Sequence, residues 1–238
     1  MLSKYLTVGL ILYFFLSLIL FSFYQYRINP DGISYLNIAH NYLTGNDPIN
    51  GFWGPLISWL LVPLLFLHLP NLLSFKIMMI LLGALTLNGL YQLSQKLPMT
   101  EHIRNLLLFT AIPIVLFYTF AYITPDLLLL CLLVYYQNAV LSPKRNGVLI
   151  GTLGALAYFS KGYAFYFFIV HFPILMILLK DKTTLAKGVL TFLVISSVWI
   201  FLISFHYGHF AIATTGSYNF AFKQTDLVGR ADVIPRVD

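Results

Sequence analysis

Long apolar runs separated by short polar links set the pattern of this chain. Seven of them reach or approach the length needed to cross a hydrocarbon core of about 30 Å. They cover residues 5–24, 72–93, 106–122, 127–141, 148–159 with its neighbours, 163–179 and 189–205. A further apolar stretch, 52–69, is of a different kind, because Pro55 and Pro63 interrupt it and Pro70-Asn71 ends it. Proline removes a backbone donor, so this piece fits a bent or re-entrant helix at least as well as a span. The stretch from Asn29 to Gly45 has another period again. Wound as a helix from Ile33, it sets Ser34, Asn37, His40, Asn41 and Thr44 on one side. Tyr35, Leu36, Ile38, Ala39, Tyr42 and Leu43 fall on the other, the pattern of a short helix lying in a membrane interface. Asp31 stands at its start.

Composition strengthens this reading. Of 238 residues, 59% are hydrophobic and 9% charged, with a mean hydropathy of +0.83. A soluble domain would carry roughly a quarter charged residues, so the expected class is an all-α polytopic membrane bundle of about seven transmembrane helices. The net charge of +6 does not form a nucleic-acid patch, because its lysines and arginines cluster in the links between apolar runs. Cys131 is the only cysteine and lies inside an apolar run, which leaves no disulfide framework or thiolate metal cluster. The first run lacks a small-residue cleavage site and reads as a retained span.

Charge placement then bears on topology. With the N-terminus cytoplasmic and 52–69 not crossing, Lys4, Lys96, Arg104, Lys144, Arg145, Lys180, Lys182 and Lys187 face inward. Arg27, Lys76 and Lys161 face outward, and eight against three obeys the positive-inside rule. If 52–69 crosses while the N-terminus stays inside, the ratio inverts. A model with an external N-terminus and eight spans scores equally well, and it sends Asp31 and Asp126 to opposite faces. In the seven-span arrangement, residues 1–205 form a transmembrane module whose first external loop is 25–71. Residues 206–238 begin an external segment or mark a chain that has been cut. Gly147, Gly151 and Ala155 recur at four-residue spacing, small residues of the kind that let helix backbones approach.

Few polar groups stand in positions suited to chemistry. Asp31 reads either as a helix N-cap or as a carboxylate at the water–lipid boundary, able to meet substrates from both sides. Thr124-Pro125-Asp126 reads as helix punctuation, with Thr124 as cap, or as a second acid beside a membrane-depth cavity. Lys161 in Ser160-Lys161-Gly162-Tyr163 is a snorkelling lysine or a point charge for a phosphate. His206, His209 and His68 offer imidazoles to a metal, but nothing fixes the three or four ligands of a site, and interfacial histidines are the expected reading.

Taken in order, these residues resemble the polyprenol-dependent glycosyltransferases of the GT-C superfamily, the relatives of protein mannosyltransferases and of the aminoarabinose transferase. The resemblance is carried by Asp31 within Asp-Gly-Ile-Ser-Tyr-Leu-Asn-Ile-Ala and by the loop Gly51-Phe52-Trp53-Gly54-Pro55-Leu56-Ile57-Ser58-Trp59. Thr124-Pro125-Asp126, Ser160-Lys161-Gly162-Tyr163, and Tyr207-Gly208 leading to Thr215-Gly216-Ser217-Tyr218-Asn219 complete it. The family's N-terminus is cytoplasmic and its first external loop carries interfacial helices, which by analogy places 52–69 in that loop. Departures are Gly32, where many relatives have a second acid, Gly54-Pro55, where many have paired prolines, and a length about half theirs. The first of these weakens a metal role, and the last puts autonomous activity in question.

The resemblance implies transfer of a sugar from a polyprenyl phosphate to a lipid, glycan or protein acceptor on the outer face of the plasma (inner) membrane. Asp31 and Asp126 are the expected catalytic acids, Asp31 as general base and Asp126 orienting Lys161 or holding the sugar. Lys161 and Arg27 are expected on the donor phosphate, and Tyr35, Tyr163 and Asn219 on substrate. The resemblance makes no cofactor certain and allows a divalent metal, and no nucleic-acid partner is expected. The competing class is a non-enzymatic lipid-sugar flippase or transporter subunit lined by the same groups, and a third is an inactive truncated module.

Overall fold

The computed structural model describes residues 4–215. Among them the chain forms nine helices and no strand. They are α1 (Lys4–Tyr24), α2 (Pro30–Thr44), α3 (Leu56–Phe66), α4 (Asn71–Gln95), α5 (Glu101–Phe120), α6 (Asp126–Val140), α7 (Gly147–Ser160), α8 (Ala164–Leu178) and α9 (Lys182–Tyr207). Four of these, α1, α4, α5 and α9, are long and apolar enough to cross a membrane. Helices α6, α7 and α8 are apolar but only 15, 14 and 15 residues long. At 1.5 Å per residue they extend about 21–23 Å, short of a full hydrocarbon core. Of the seven expected spans, four therefore meet the length as helices. The other three depend on flanking residues such as Leu141 and Leu179 that lie outside the helical turns.

Helix α2 starts earlier than its amphipathic period alone indicates, because Pro30 occupies the first turn, where its missing N–H costs nothing. It ends at Gly45, whose φ of 73° gives the left-handed cap that side chains resist. Its buried residues include Tyr35, Leu36, Ile38 and Ala39, all from the expected apolar side. That face, however, packs on protein. The Ser58 hydroxyl of α3 donates to the Tyr35 carbonyl over 3.0 Å, and Phe75 of α4 closes on Gly32. Helix α3 carries Pro63 in its interior, is 11 residues long, and lies against α2, α4 and α7. It is the short, proline-containing piece that the sequence separates from the spans, and the helix runs on through Pro63.

The tightest helix pair is α7 with α9. A Cβ on Gly147 would fall 2.2 Å from the Thr184 carbonyl oxygen, and one on Gly151 2.3 Å from that of Gly188. The four-residue spacing of small residues thus marks a true backbone approach, in which dispersion gains from close packing replace the side chains given up. Trp59 of α3 meets Phe159 of α7 and Trp199 of α9 edge-on, with ring centroids 5.4 and 5.5 Å apart. Such aromatic pairs contribute about 0.5–1.5 kcal/mol beyond burial. They hold α3 beneath the end of the bundle where α7 stops and α9 ends.

Candidate functional site

That end of the bundle contains a cavity of about 660 Å³. Its walls come from the start of α2 (Asp31, Tyr35), the loop before α3 (Phe52, Trp53, Gly54), the break between α7 and α8, and the segment after α9. The break forms because Lys161 is extended, with φ −146° and ψ 125°, before Gly162 and Tyr163 turn the chain into α8. An extended residue between two helices carries its side chain out of the helical stack. The Lys161 ammonium therefore reaches the carboxylate of Asp126, 2.6 Å away, from the first turn of α6.

Three neighbours fix this pair. Thr124 donates its hydroxyl to the other Asp126 oxygen at 2.6 Å. Buried Ser160 donates to the Pro125 carbonyl at 3.2 Å, joining α7 to the start of α6. The ammonium also sits 5.6 Å from the centre of the Tyr163 ring. Burial opposes the charge on Asp126, but the bonds from Lys161 and Thr124 outweigh it and hold the carboxyl below its ordinary value. Thr124 does not cap α6 as expected: the N-cap position falls to Pro125, no side chain caps it, and regular helix begins at Asp126.

Asp31 has a different setting. The N-cap position of α2 belongs to Asn29, and Asp31, one residue past Pro30, makes no capping bond. Among the described residues its carboxylate has no hydrogen-bond or ion-pair partner, and it lines the cavity half-buried. Burial pushes the Tyr35 phenol well above its usual value, and the negative charges of Asp31 and then Asp126 push the same way. Both acids therefore act on one phenol and share one region of the molecule.

Loop and tail complete the enclosure. A Cβ on Gly54 would fall 2.3 Å from the Ser160 carbonyl oxygen, so only glycine lets the loop lie on the α7–α8 break. The Gly51 amide donates to the Tyr207 hydroxyl at 3.2 Å, and the Thr214 amide donates to the Gly51 carbonyl at 2.8 Å. Thr215 donates to the Phe52 carbonyl at 2.6 Å, and Tyr158 to the Ile212 carbonyl at 2.6 Å. These bonds hold the segment after α9 against the loop, so Ala213 and Thr215 become part of the wall.

The chain matches no family model, no curated protein and no solved structure. The geometry must carry the functional reading alone.

Of the expected site residues, Asp31, Tyr35, Lys161 and Tyr163 line the cavity. Asp126 is not among the wall residues and reaches the cavity only through its ion pair with Lys161. Arg27 is not brought in. It is exposed and lies over the Tyr24 ring at 5.3 Å, since the turn after α1 leaves its side chain with its own helix end. Asn219 lies outside the described residues. Sequence reasoning did not single out Trp53 or Tyr166 as site residues. Tyr166 is one helical turn beyond Tyr163, a spacing that could have signalled it, whereas Trp53 belongs to a loop whose reach no local period encodes. Among the described residues no three His, Cys, Asp or Glu side chains gather as a metal-binding set. His206 instead approaches Asp47 at 3.4 Å, and His209 bonds the Tyr207 carbonyl.

Proposed function

We propose that this chain is a membrane glycosyltransferase that moves a sugar from a polyprenyl phosphate to a hydroxyl or amine on the outer face of the membrane. The observation that carries this reading is the division of labour on one aromatic-walled cavity: a carboxylate, Asp31, without a partner among the described residues, and a carboxylate-anchored ammonium, Lys161. A general base needs an acceptor site free of competing partners. A leaving phosphate needs a fixed positive charge, already oriented before the bond breaks.

In this mechanism the acceptor O–H or N–H gives its proton to the Asp31 carboxylate. The acceptor's electron pair forms the new bond to the anomeric carbon from the face opposite the phosphate. The C–O bond to the phosphate breaks with its electron pair on oxygen, and configuration inverts. Phosphate is a stable anion, so no second carboxylic acid need protonate it, in contrast to an inverting glycosidase. Lys161 offsets the charge that grows there, and Asp126 with Thr124 keeps the ammonium in place. Tyr35 and Trp53, edge-on at 5.3 Å, offer the sugar an apolar wall with a polar rim.

The seven-crossing topology belongs to the same proposal. Helices α1 and α4 to α9 cross, α2 and α3 lie in the first external loop, and the N-terminus is cytoplasmic. Support comes from the start of α6, the α7–α8 break and the end of α9 meeting at the cavity, as alternating helices require.

The test is transfer in membranes supplied with a polyprenyl-linked sugar. Asp31→Asn is expected to abolish product while the protein accumulates and melts normally, because the carboxylate bonds to no other described group. A rate equal to wild type would overturn the assignment of the base. Flipping of the donor lipid without transfer would favour a transporter.

A further inference from the structure

The opposite end of the bundle holds a second cavity, of about 330 Å³, that the proposed transfer does not use. Its walls come from the ends of α4 and α6, the turn after α6 and the start of α7. Asn138 on its wall and Asp126 lie twelve residues apart on α6, about 18 Å along the axis. The two cavities thus open toward opposite ends of one helix.

We infer that this cavity binds the phosphodiester headgroup of an anionic membrane lipid between Lys96 and Lys144. Both lysines line the cavity, and no carboxylate does. Lys96 is anchored to the Asn138 carbonyl, which uses one of its three donors and leaves two for an anion. Lys144, in the turn, is exposed and has no partner among the described residues. Asn146 accepts the Leu149 amide and so caps α7, whose positive N-terminal end adds to the field at the mouth. Asn138 is tied through its amide to the Gly89 and Val134 carbonyls at 2.9 and 3.0 Å, so the wall behind Lys96 is rigid.

The cavity also changes character along the helix axis. Lys144 stands before the first turn of α7, while Leu149 and Leu153, one turn apart further along that helix, line the cavity together with the Tyr135 ring. A free anion has no use for that apolar ladder, whereas a glycerol backbone and the first methylenes of an acyl chain do. Basic pockets between membrane helices bind lipid headgroups by this combination. The inference does not depend on the chemistry at the other end.

The full chain, purified in neutral detergent, is titrated with phosphatidylglycerol, phosphatidylcholine and inorganic phosphate, with bound lipid read by native mass spectrometry. Phosphatidylglycerol is expected to be retained and phosphatidylcholine lost under the same activation. Lys96→Ala and Lys144→Ala should each weaken retention about fivefold, the effect of one lysine at a lipid surface. Lys144→Glu, at an exposed side chain without a partner, should abolish it while the lipid-free melting temperature stays constant. Equal retention of phosphatidylcholine, or undiminished phosphatidylglycerol on the Lys144→Glu variant, would overturn the site. Displacement of phosphatidylglycerol by an equal concentration of inorganic phosphate would overturn the lipid as its source.

Discussion

At the scale of single residues, the separate roles of the two acids follow from what each one touches. Asp126 accepts bonds from Lys161 and Thr124, and Asp31 accepts none among the described residues. Removing the lysine should therefore act on the donor. Lys161→Ala is expected to raise the donor KM roughly tenfold or more, the range for a charge-assisted hydrogen bond, with a smaller effect on the acceptor. Asp126→Asn leaves the ammonium in place but unanchored, and should produce part of the same defect. Because the two act as one unit, the double variant should be little worse than Lys161→Ala alone, as kinetics of the four proteins would show. The pair also has a pH signature. The Asp126 carboxyl is lowered in the folded state, so its stabilisation is complete above the unfolded carboxylate pKa of about 4 and fades as pH falls through the folded value. Melting temperature should thus stay level on this account from pH 7 to 5 and drop below about pH 4. In Asp126→Asn this acid limb should shrink. Partial solvent exposure keeps the effect small, on the order of 1 kcal/mol or less.

At the scale of elements, the site depends on one close approach of backbone to backbone. The loop before α3 lies on the α7–α8 break only because residue 54 has no side chain. Gly54→Ala forces a methyl against the carbonyls of Phe159 and Ser160, which cannot swing away as a side-chain tip would. Overpacking of this kind costs about 1–3 kcal/mol, so the variant should melt earlier and lose transfer together. Gly162→Ala would meet only the Ala213 side chain, and should be milder in the same assays. These contacts also mark the limit of what the sequence disclosed. Its periodicities disclosed the helical class, the apolar side of α2, the separateness of the short proline-containing α3 and the small-residue face of α7. Each of those is a local property, set within a few turns. The bond between Asp126 and Lys161 joins residues 35 apart, and the one between Thr215 and Phe52 residues 163 apart. Such pairings depend on where helices end relative to one another, which hydropathy leaves undetermined. Arg27 shows the same limit from the other side: the correct charge in the correct loop, turned back onto the Tyr24 ring.

At the scale of the whole molecule, the proposal depends on which groups share a face of the membrane. Lengths alone do not decide it, since α6, α7 and α8 each fall short of a hydrocarbon core. Local thinning of the bilayer and flanking interfacial residues can make up such a deficit at a modest cost per ångström. If α6 to α9 do cross, Ser34 on α2 and Gly162 beside Lys161 must both face outward, and Pro143 in the turn after α6 must face inward. Single cysteines at these positions, in a background where buried Cys131 is replaced by alanine, separate the cases when intact cells meet a membrane-impermeant thiol reagent. Cysteines at 34 and 162 should label from outside, and the one at 143 only after the cells are opened. Labelling of 34 and 162 from opposite sides would contradict the shared cavity and end the transfer mechanism, because Asp31 and Lys161 would no longer meet one substrate. Labelling of all three from outside would mean that α6 and α7 return without crossing. The lysine-lined cavity would then lie on the same surface as the carboxylate site, and the positive-inside distribution of Lys96, Lys144 and Arg145 would lose its physical meaning.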